Sequence, residues 1–397
     1  MMPLVLTAYT ATSCIGRGLR ETLATLRAAR SGLAPCSFET VQLETYVGEV
    51  PGLDEAALPG NLAEFDCRNN RLAWAGLTQD GFVQALAAAA GRYGSQRVGI
   101  FLGTSTSGIL ESEIAYRNRD PVSGALPADF RYAGAHDTFS VAAFARRALK
   151  LDGPAVVISS ACSSSAKVFA SARRAIEAGL IDAALVGGVD SLCLTTLYGF
   201  HALQLVAPSP CRPFDEARNG LSIGEAAAFA LLERAGENLD ADTVLLLGSG
   251  ESSDAHHMSA PPADGRGARA AMEQALAAAE LDRSAIDYIN FHGTGTPSND
   301  AAEARAVAAV LGARIPGSST KGATGHTLGA AGGLEAVICA LALRHGLMPG
   351  GVNTRVIDPE LPVSYLLENR RAHLEAVMSN SFGFGGSNCS LIFGRAG

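Results

Sequence analysis

Val156-Val-Ile-Ser-Ser-Ala-Cys162-Ser-Ser-Ser-Ala-Lys167 is the stretch whose residue types could do nucleophilic chemistry. A β-branched apolar run ends in small residues, a single cysteine follows, and an Ala-rich helical pattern runs to about Ala178. That order reads as a strand, a tight elbow and a helix, with Cys162 at the elbow. A thiol there sits near the positive end of the helix dipole and close to unpaired backbone N–H groups. Both favour thiolate, the nucleophilic form. The competing reading of this segment alone is a buried small hydrophobe, since free cysteine is commonly buried.

Three other constellations bear on the choice. Asn290-Phe-His292-Gly-Thr294-Gly-Thr296-Pro-Ser-Asn-Asp300 puts a histidine directly after an apolar strand, where ligands gather in open α/β folds. Its glycines allow close backbone approach, and its two threonine hydroxyls can bond a polar substrate arm. Lys321-Gly-Ala-Thr-Gly-His326 sets a lysine and a histidine in a glycine-rich turn ahead of a helix. It lacks the Gly-Lys-Ser/Thr order of a phosphate loop. Glu335 on the following helix can pair with Lys321, because either group buried alone is costly. Ser379-Asn-Ser-Phe-Gly-Phe384-Gly-Gly-Ser-Asn388 reads as a hairpin connection. Its backbone N–H groups could hold an oxyanion, with Phe384 as a movable cover.

Taken together, Cys162, His292 and His326 suit acyl-transfer and carbanion chemistry. A thiolate accepts an acyl group as a thioester. Two neutral imidazoles donate hydrogen bonds to a second thioester's carbonyl oxygen, and so stabilise an enolate when a β-carboxylate leaves as CO₂. Decarboxylation drives formation of the carbon–carbon bond, so neither a redox cofactor nor a catalytic metal is required.

The rest of the chain must position these groups. It has 397 residues, 48% hydrophobic and 18% charged, with 44 glycines and one tryptophan, the profile of a densely packed α/β enzyme. Eight cysteines are scattered without a CxxC pair, which points to a reducing, cytoplasmic compartment and no structural zinc. Met1-Met-Pro-Leu-Val-Leu lacks a basic region and reads as a first strand rather than a signal peptide. No run of about 18 uncharged apolar residues predicts a membrane span. The net charge of −8 argues against nucleic-acid binding.

Strands are expected at 4–10, 97–103, 156–160, 180–188, 224–234, 243–248, 288–291, 374–378 and 389–393. Helices are expected at 68–91, after Asp137, after Cys162, at 266–280, at 300–311 and from His326 to about His345. The alternation implies mostly parallel sheets covered by helices. A weak repeat is visible: Cys162 and His326 each open a small-residue helix that leads into another strand. Two related halves follow, 1–240 carrying Cys162 and 241–397 carrying both histidines, joined by a polar bridge at 235–242.

In these blocks the chain resembles the β-ketoacyl-[acyl-carrier-protein] synthases of the elongating type I/II class. The blocks are SACSSS around Cys162, CRPFDEARNG at 211–220 with GE at 224–225, DAHHMSAP at 254–261, HGTGTPSND at 292–300, STKGATGHTLGAAGG at 319–333 and SNSFGFGGSN at 379–388. The resemblance implies a thiolase-like, five-layered αβαβα fold. It implies a homodimer, or a heterodimer with a related chain-length subunit, working with acyl carrier protein. It makes Cys162 the acylated nucleophile, His292 and His326 the decarboxylation pair and Lys321 their support, held by Glu335. Thr294 and Thr296 would contact the phosphopantetheine arm. Phe384 would be the gate, and the N–H groups of Cys162 and Phe384 the oxyanion hole. Some members hold a structural monovalent cation near residues matching Asn290, Glu303, Glu335, Ser379 and Asn380. Arg68 and Arg71 lie where the family has basic residues that meet the acidic carrier, the alternative being a solvated helix face.

The departures are Gly224-Glu-Ala-Ala-Ala228 for GEGAG, HGTGT for HGTST and a shortened loop before Cys211. They bear on substrate and pathway, and make a polyketide or polyene pathway plausible beside fatty-acid synthesis. Two alternatives are a coenzyme A-dependent thiolase and a non-catalytic chain-length subunit. A thiolase needs a second catalytic cysteine, and Cys389 does not take that place. The non-catalytic subunit typically lacks the nucleophile.

Overall fold

The computed structural model describes residues 3–236 and 239–396. Met1, Met2 and part of the expected bridge at 235–242 lie outside them. In chain order the elements that frame the site begin with β1 (Leu4–Ser13), α1 (Arg68–Leu77), α2 (Phe82–Tyr93) and β2 (Val98–Gly103). Next come β3 (Ala155–Ile158), α3 (Ser164–Glu177), β4 (Ala183–Asp190), α4 (Leu194–Ala202) and β5 (Ala226–Arg234). The second half supplies β6 (Val244–Ser253), α5 (Arg266–Ala279), β7 (Tyr288–Asn290), α6 (Pro297–Val310) and β8 (Pro316–Ser318). It closes with α7 (Ala331–His345), β9 (Ser364–Tyr365), β10 (Ala376–Gly383) and β11 (Ser387–Arg395).

The strands run in the order β9-β8-β7-β10-β11-β6-β1-β5-β4-β2-β3. Outward from the centre, β1-β5-β4-β2-β3 pair antiparallel, antiparallel, parallel, parallel. In the other direction β6-β11-β10-β7-β8 pair in the same sequence of senses. The two sets meet where β1 pairs with β6 over Leu4↔Leu246 and Val5↔Leu245. The duplication glimpsed around Cys162 and His326 is therefore a duplication of topology, with α3 and α7 in equivalent crossovers.

The sheet is mixed rather than mostly parallel, which corrects the sequence reading. Hairpin-type returns such as β10–β11 are hidden in the sequence because both faces of these strands are buried, so the alternation that marks an antiparallel strand is lost.

Helices α3 and α7 pack against each other between the two sheet halves. A Cβ on Gly332 would lie 2.6 Å from the backbone N of Ala166, so only glycine permits this approach. Helices α1 and α2 cover the outer face of the first half, and α5 and α6 that of the second. The result is α/β in five layers. Leu328–His345 is long and apolar enough to cross a membrane by composition, yet 89% of it is buried inside the fold, as a central core helix must be.

The single helix expected at 68–91 is two. Helix α1 ends at Leu77, and Asp80 (φ 54°) and Gly81 (φ 71°) turn the chain in the left-handed region. The Asp80 carboxylate accepts from Thr10 Oγ1 at 2.8 Å and from the Leu19 N–H, which pins the break to the end of β1. Helix α4 was not legible in the sequence, because its apolar residues follow no helical period.

Candidate active site

Cys162 stands between β3 and α3 on a strained elbow. Ala161 takes φ 52°, a left-handed value that costs a non-glycine residue about 1–3 kcal/mol and persists where its surroundings enforce it. Ser164 enforces it here. Its Oγ accepts the Ser160 N–H at 2.9 Å and donates to the Ala161 carbonyl at 2.5 Å. The thiol is buried, with Sγ 3.0 Å from His326 Nε2. Burial pushes the Cys162 thiol up to about 11, against the Lys321 charge and the Phe384 backbone N–H, which both pull it down. The sequence expectation of a resting thiolate is thereby corrected. Desolvation outweighs the helix start, and the thiol must hand its proton to a base as it attacks.

That base is adjacent. His326 follows Gly325, whose φ of 70° turns the chain, and its backbone N–H donates to Ser222 at 2.7 Å. His292 leaves the end of β7, where Glu303 on α6 accepts the N–H groups of His292 and Gly293, each at 2.8 Å. The two imidazole rings lie 5.3 Å apart at 84°. Ligand-capable atoms of Cys162, His292 and His326 all fall within 4.8 Å of one another. Burial, then the charge of Lys321, hold both imidazoles well below the ordinary histidine value, so both are neutral at physiological pH. Lys321 Nζ is 3.5 Å from His292 Nδ1, which assigns that nitrogen as acceptor and leaves His292 Nε2–H free to donate.

Lys321 is itself buried and ion-paired with Glu335 of α7. Burial lifts Glu335 to about 7 against that pairing, and its second oxygen has no hydrogen-bond partner. Asn290 Oδ1 and Ser379 Oγ are likewise buried without partners, on residues paired across β7 and β10. Two such oxygens on paired strands, together with an unpartnered carboxylate oxygen, are donors of the kind a hard monovalent cation takes. Glu303 and Asn380 are already engaged: Asn380 Nδ2 donates to Glu303 at 3.1 Å, and Asn380 Oδ1 accepts from Ser390 at 2.8 Å.

Above the three reactive groups opens a narrow pocket. Thr294 and Thr296 line it, their hydroxyls 2.9 Å apart. Half-buried Phe384 also lines it, and its ring stacks on Phe200 of α4 at 5.3 Å. Left-handed Gly385 and Gly386 follow it. Gly383 approaches so closely that a Cβ there would lie 3.2 Å from the Cys162 N. The backbone N–H groups of Phe384 and Cys162 both act on the Cys162 sulfur.

Comparison with known proteins decides the family. The model described as "Beta-ketoacyl synthase, N-terminal domain" matches residues 1–238, and "Beta-ketoacyl synthase, C-terminal domain" matches 244–355. The chain belongs to the beta-ketoacyl synthase family. It is 39% identical to the mitochondrial 3-oxoacyl-[acyl-carrier-protein] synthase of Arabidopsis thaliana over 61% of this chain. That match spans 56% of the plant protein's length. It is 35% identical to nodulation protein E of Rhizobium meliloti (strain 1021) over 75% of each chain. Among solved structures, the ketosynthase of Xenorhabdus doucetiae in complex with its chain length factor is similar at 38% identity and TM-score 0.90. That similarity covers 100% of this chain and 98% of that one. The ishigamide ketosynthase/chain length factor is similar at 28% identity and TM-score 0.89, over the whole of both chains.

In this chain Arg68 and Arg71 require correction as carrier-protein contacts. Arg68 is 2% exposed and turns inward, where Glu225, Asp54 and Glu49 accept from its guanidinium. It is the counter-ion of the fully buried Glu225 and offers no surface charge. Arg71 is held by both oxygens of Asp66 at 2.7 and 2.8 Å, in a cleft that Glu64, Glu111 and Asp129 also line. Its field is locally cancelled. We expect Arg71→Ala to change the KM for carrier protein by less than about twofold, with an unaltered salt dependence, since a paired surface charge steers little. A several-fold, salt-sensitive rise would restore Arg71 as a contact.

Two supporting residues were missed in the sequence. Phe200 sits on the illegible helix α4. Asp300 was seen only as part of a block. It is fully buried, with the Phe214 N–H at 2.8 Å and the Gly295 N–H at 3.2 Å, and so ties the 211–220 loop to the threonine loop. Cys389 is buried in β11 opposite Ser381, away from the cavity lining.

Proposed function

We propose that the chain is an acyltransferase. It would catalyse decarboxylative Claisen condensation of malonyl-acyl carrier protein with an acyl group held on Cys162, giving a β-ketoacyl-acyl carrier protein. The observation that carries the reading is a buried thiol 3.0 Å from one of two buried imidazoles, in surroundings that disfavour charge on all three.

In the first half-reaction Cys162 Sγ attacks the acyl thioester carbonyl while its proton passes to His326 Nε2. The Cys162 and Phe384 N–H groups take the oxyanion. The carrier's thiol leaves with that proton, which returns His326 to neutrality. In the second half-reaction the malonyl thioester enters along Thr294 and Thr296. His326, neutral again, now takes the tautomer with its one ring proton on Nε2; the malonyl carbonyl oxygen accepts from Nε2–H of His292 and His326, and the bond to the carboxylate breaks to release CO₂. The enolate carbon then attacks the acyl carbonyl on Cys162, and the thiolate leaves and takes up a proton from solvent, the one proton the condensation consumes. The intact thiol and histidine pair favour this reading over a thiolase or a non-catalytic chain-length subunit.

Fatty-acid or polyketide/polyene elongation is the setting we infer. Relatives whose titles name a chain length factor support a heterodimer with a related subunit, and a homodimer is the other arrangement. Eight free thiols suit a cytoplasmic, reducing compartment. No redox cofactor is invoked. Asn290, Glu335 and Ser379 would hold a monovalent cation, whose charge would offset the buried carboxylate. We expect the melting temperature to be a few degrees higher in potassium or sodium than in choline chloride at equal ionic strength. An identical melting temperature in all three salts would remove the cation.

The test of the reaction is acylation by a panel of acyl-carrier proteins, followed by malonyl-carrier protein. A product two carbons longer with release of CO₂ supports it. Acylated, folded protein that never extends its acyl group refutes it.

A further inference from the structure

Asp190 ends strand β4 and is fully buried. Nothing in the reaction above uses it, and among the described residues no lysine or arginine pairs with it. Its carboxylate instead collects hydrogen bonds from two directions. From the loop after β2 come Thr104 Oγ1 at 2.7 Å, Thr106 Oγ1 at 2.8 Å, the Ser105 N–H at 2.8 Å and the Thr106 N–H at 2.9 Å, with the Ser105 hydroxyl in addition. From the other half of the molecule comes the Gly329 N–H at 2.5 Å.

Gly329 lies in the turn that carries the chain from His326 into α7. That turn is shaped by Leu328 at φ 52°, and a Cβ on Gly329 would sit 2.7 Å from Asp190 Oδ2. Ser105 repeats the link, since its Oγ also accepts the Gly329 N–H at 3.2 Å. One carboxylate of the first half thus fixes the turn that follows the base, and Cys162 belongs to that same first half.

We propose that Asp190 is a positioning residue for acyl transfer: it clamps the His326 turn of one half to the β2–β4 end of the other, so that His326 Nε2 meets the Cys162 thiol preformed. The role rests on the condensation reading for its reaction but not for its geometry. Six donors converge on one group, and only a carboxylate offers acceptors on both oxygens. Asparagine keeps the shape but turns an NH₂ toward N–H and O–H donors, which leaves buried groups unpaired. Displacing a reacting group by about 1 Å costs roughly 100-fold in rate.

Asp190 has a second signature. The groups whose charge or titration bears on the Cys162 thiol are Lys321, Asp190, His326 and His292. Asp190 raises the thiol's pKa and Lys321 lowers it. Burial is the larger upward influence, and neutralising Asp190 removes the other, so the thiol should move toward lower pH, an effect that loss of packing alone would not produce.

The experiment uses the full chain carrying Asp190→Asn, with Ser105→Ala as the milder variant. Two quantities are followed: acyl transfer from an acyl-carrier protein, and the pH midpoint of Cys162 alkylation by iodoacetamide, read by mass spectrometry. For Asp190→Asn we expect kcat to fall about 100-fold with KM within about twofold, and the alkylation midpoint to move to lower pH. Acyl transfer within about twofold of wild type, or an unmoved midpoint, overturns the proposal. Should Asp190→Asn fail to fold, Ser105→Ala decides. With an unchanged melting temperature its kcat should fall about fivefold, and an unchanged kcat overturns the proposal. A wild type that accepts no acyl group while the Asp190→Asn midpoint still shifts would sink the condensation reading and leave the Asp190–thiol coupling standing.

Discussion

Cys162→Ala should accept no acyl group from any carrier protein, yet still release CO₂ from malonyl-carrier protein. The two half-reactions draw on different atoms. Acyl transfer needs a nucleophile, and no second cysteine can substitute: Cys162 is the one thiol lining the cavity. The others lie outside it, Cys211 for example against the Lys321 carbonyl at 3.1 Å. Decarboxylation needs only donors for a developing enolate, and His292 and His326 remain. Loss of a covalent nucleophile removes on the order of 10³-fold or more from the condensation rate. Intact-protein mass spectrometry reads the first half as a missing mass gain, and CO₂ release reads the second. A variant that loses both reactions would show that the thiol takes part in decarboxylation. A variant that keeps acylation would displace Cys162 as nucleophile.

The reactive residues were legible in the sequence because their chemistry depends on residue type at strand ends, and strand ends announce themselves. Cys162, His292 and His326 each follow an apolar run or a glycine turn. Their protonation states were not legible. The sequence placed Cys162 at a helix start and argued for thiolate. Complete burial, a property of five packed layers and not of any segment, reverses that sign. Arg68 failed for the same reason. A helix-face arginine reads as solvated unless the buried Glu225, more than 150 residues away, is known to need a counter-ion. The mixed sheet escaped because β5, β10 and β11 are buried on both faces and show no alternation. Six distinctive blocks identified the family; long-range burial and pairing set the energetics.

The buried Lys321–Glu335 pair carries the other large effect. Lys321→Met should destabilise the fold by about 3–5 kcal/mol, because it leaves Glu335 in the core without its ion-pair partner, whereas the double change Lys321→Met, Glu335→Leu should recover most of that loss. The catalytic consequence has a definite sign. Lys321 lowers His292, His326 and the Cys162 thiol alike. Without it both imidazoles rise toward their ordinary value near 6.5 and the thiol rises further. With the lysine present, the imidazoles stay neutral well below that value, so wild-type decarboxylation should be flat between about pH 8 and 6. In the rescued double variant burial still holds both imidazoles low but the lysine's opposing charge is gone, so the fall in decarboxylation with acid should set in at a higher pH than in the wild type, and acyl transfer should slow at every pH. Urea unfolding measures the first effect and the pH profile the second. A double variant that regains stability and keeps the flat wild-type profile would make Lys321 a structural counter-ion of Glu335, with burial alone keeping the two histidines neutral.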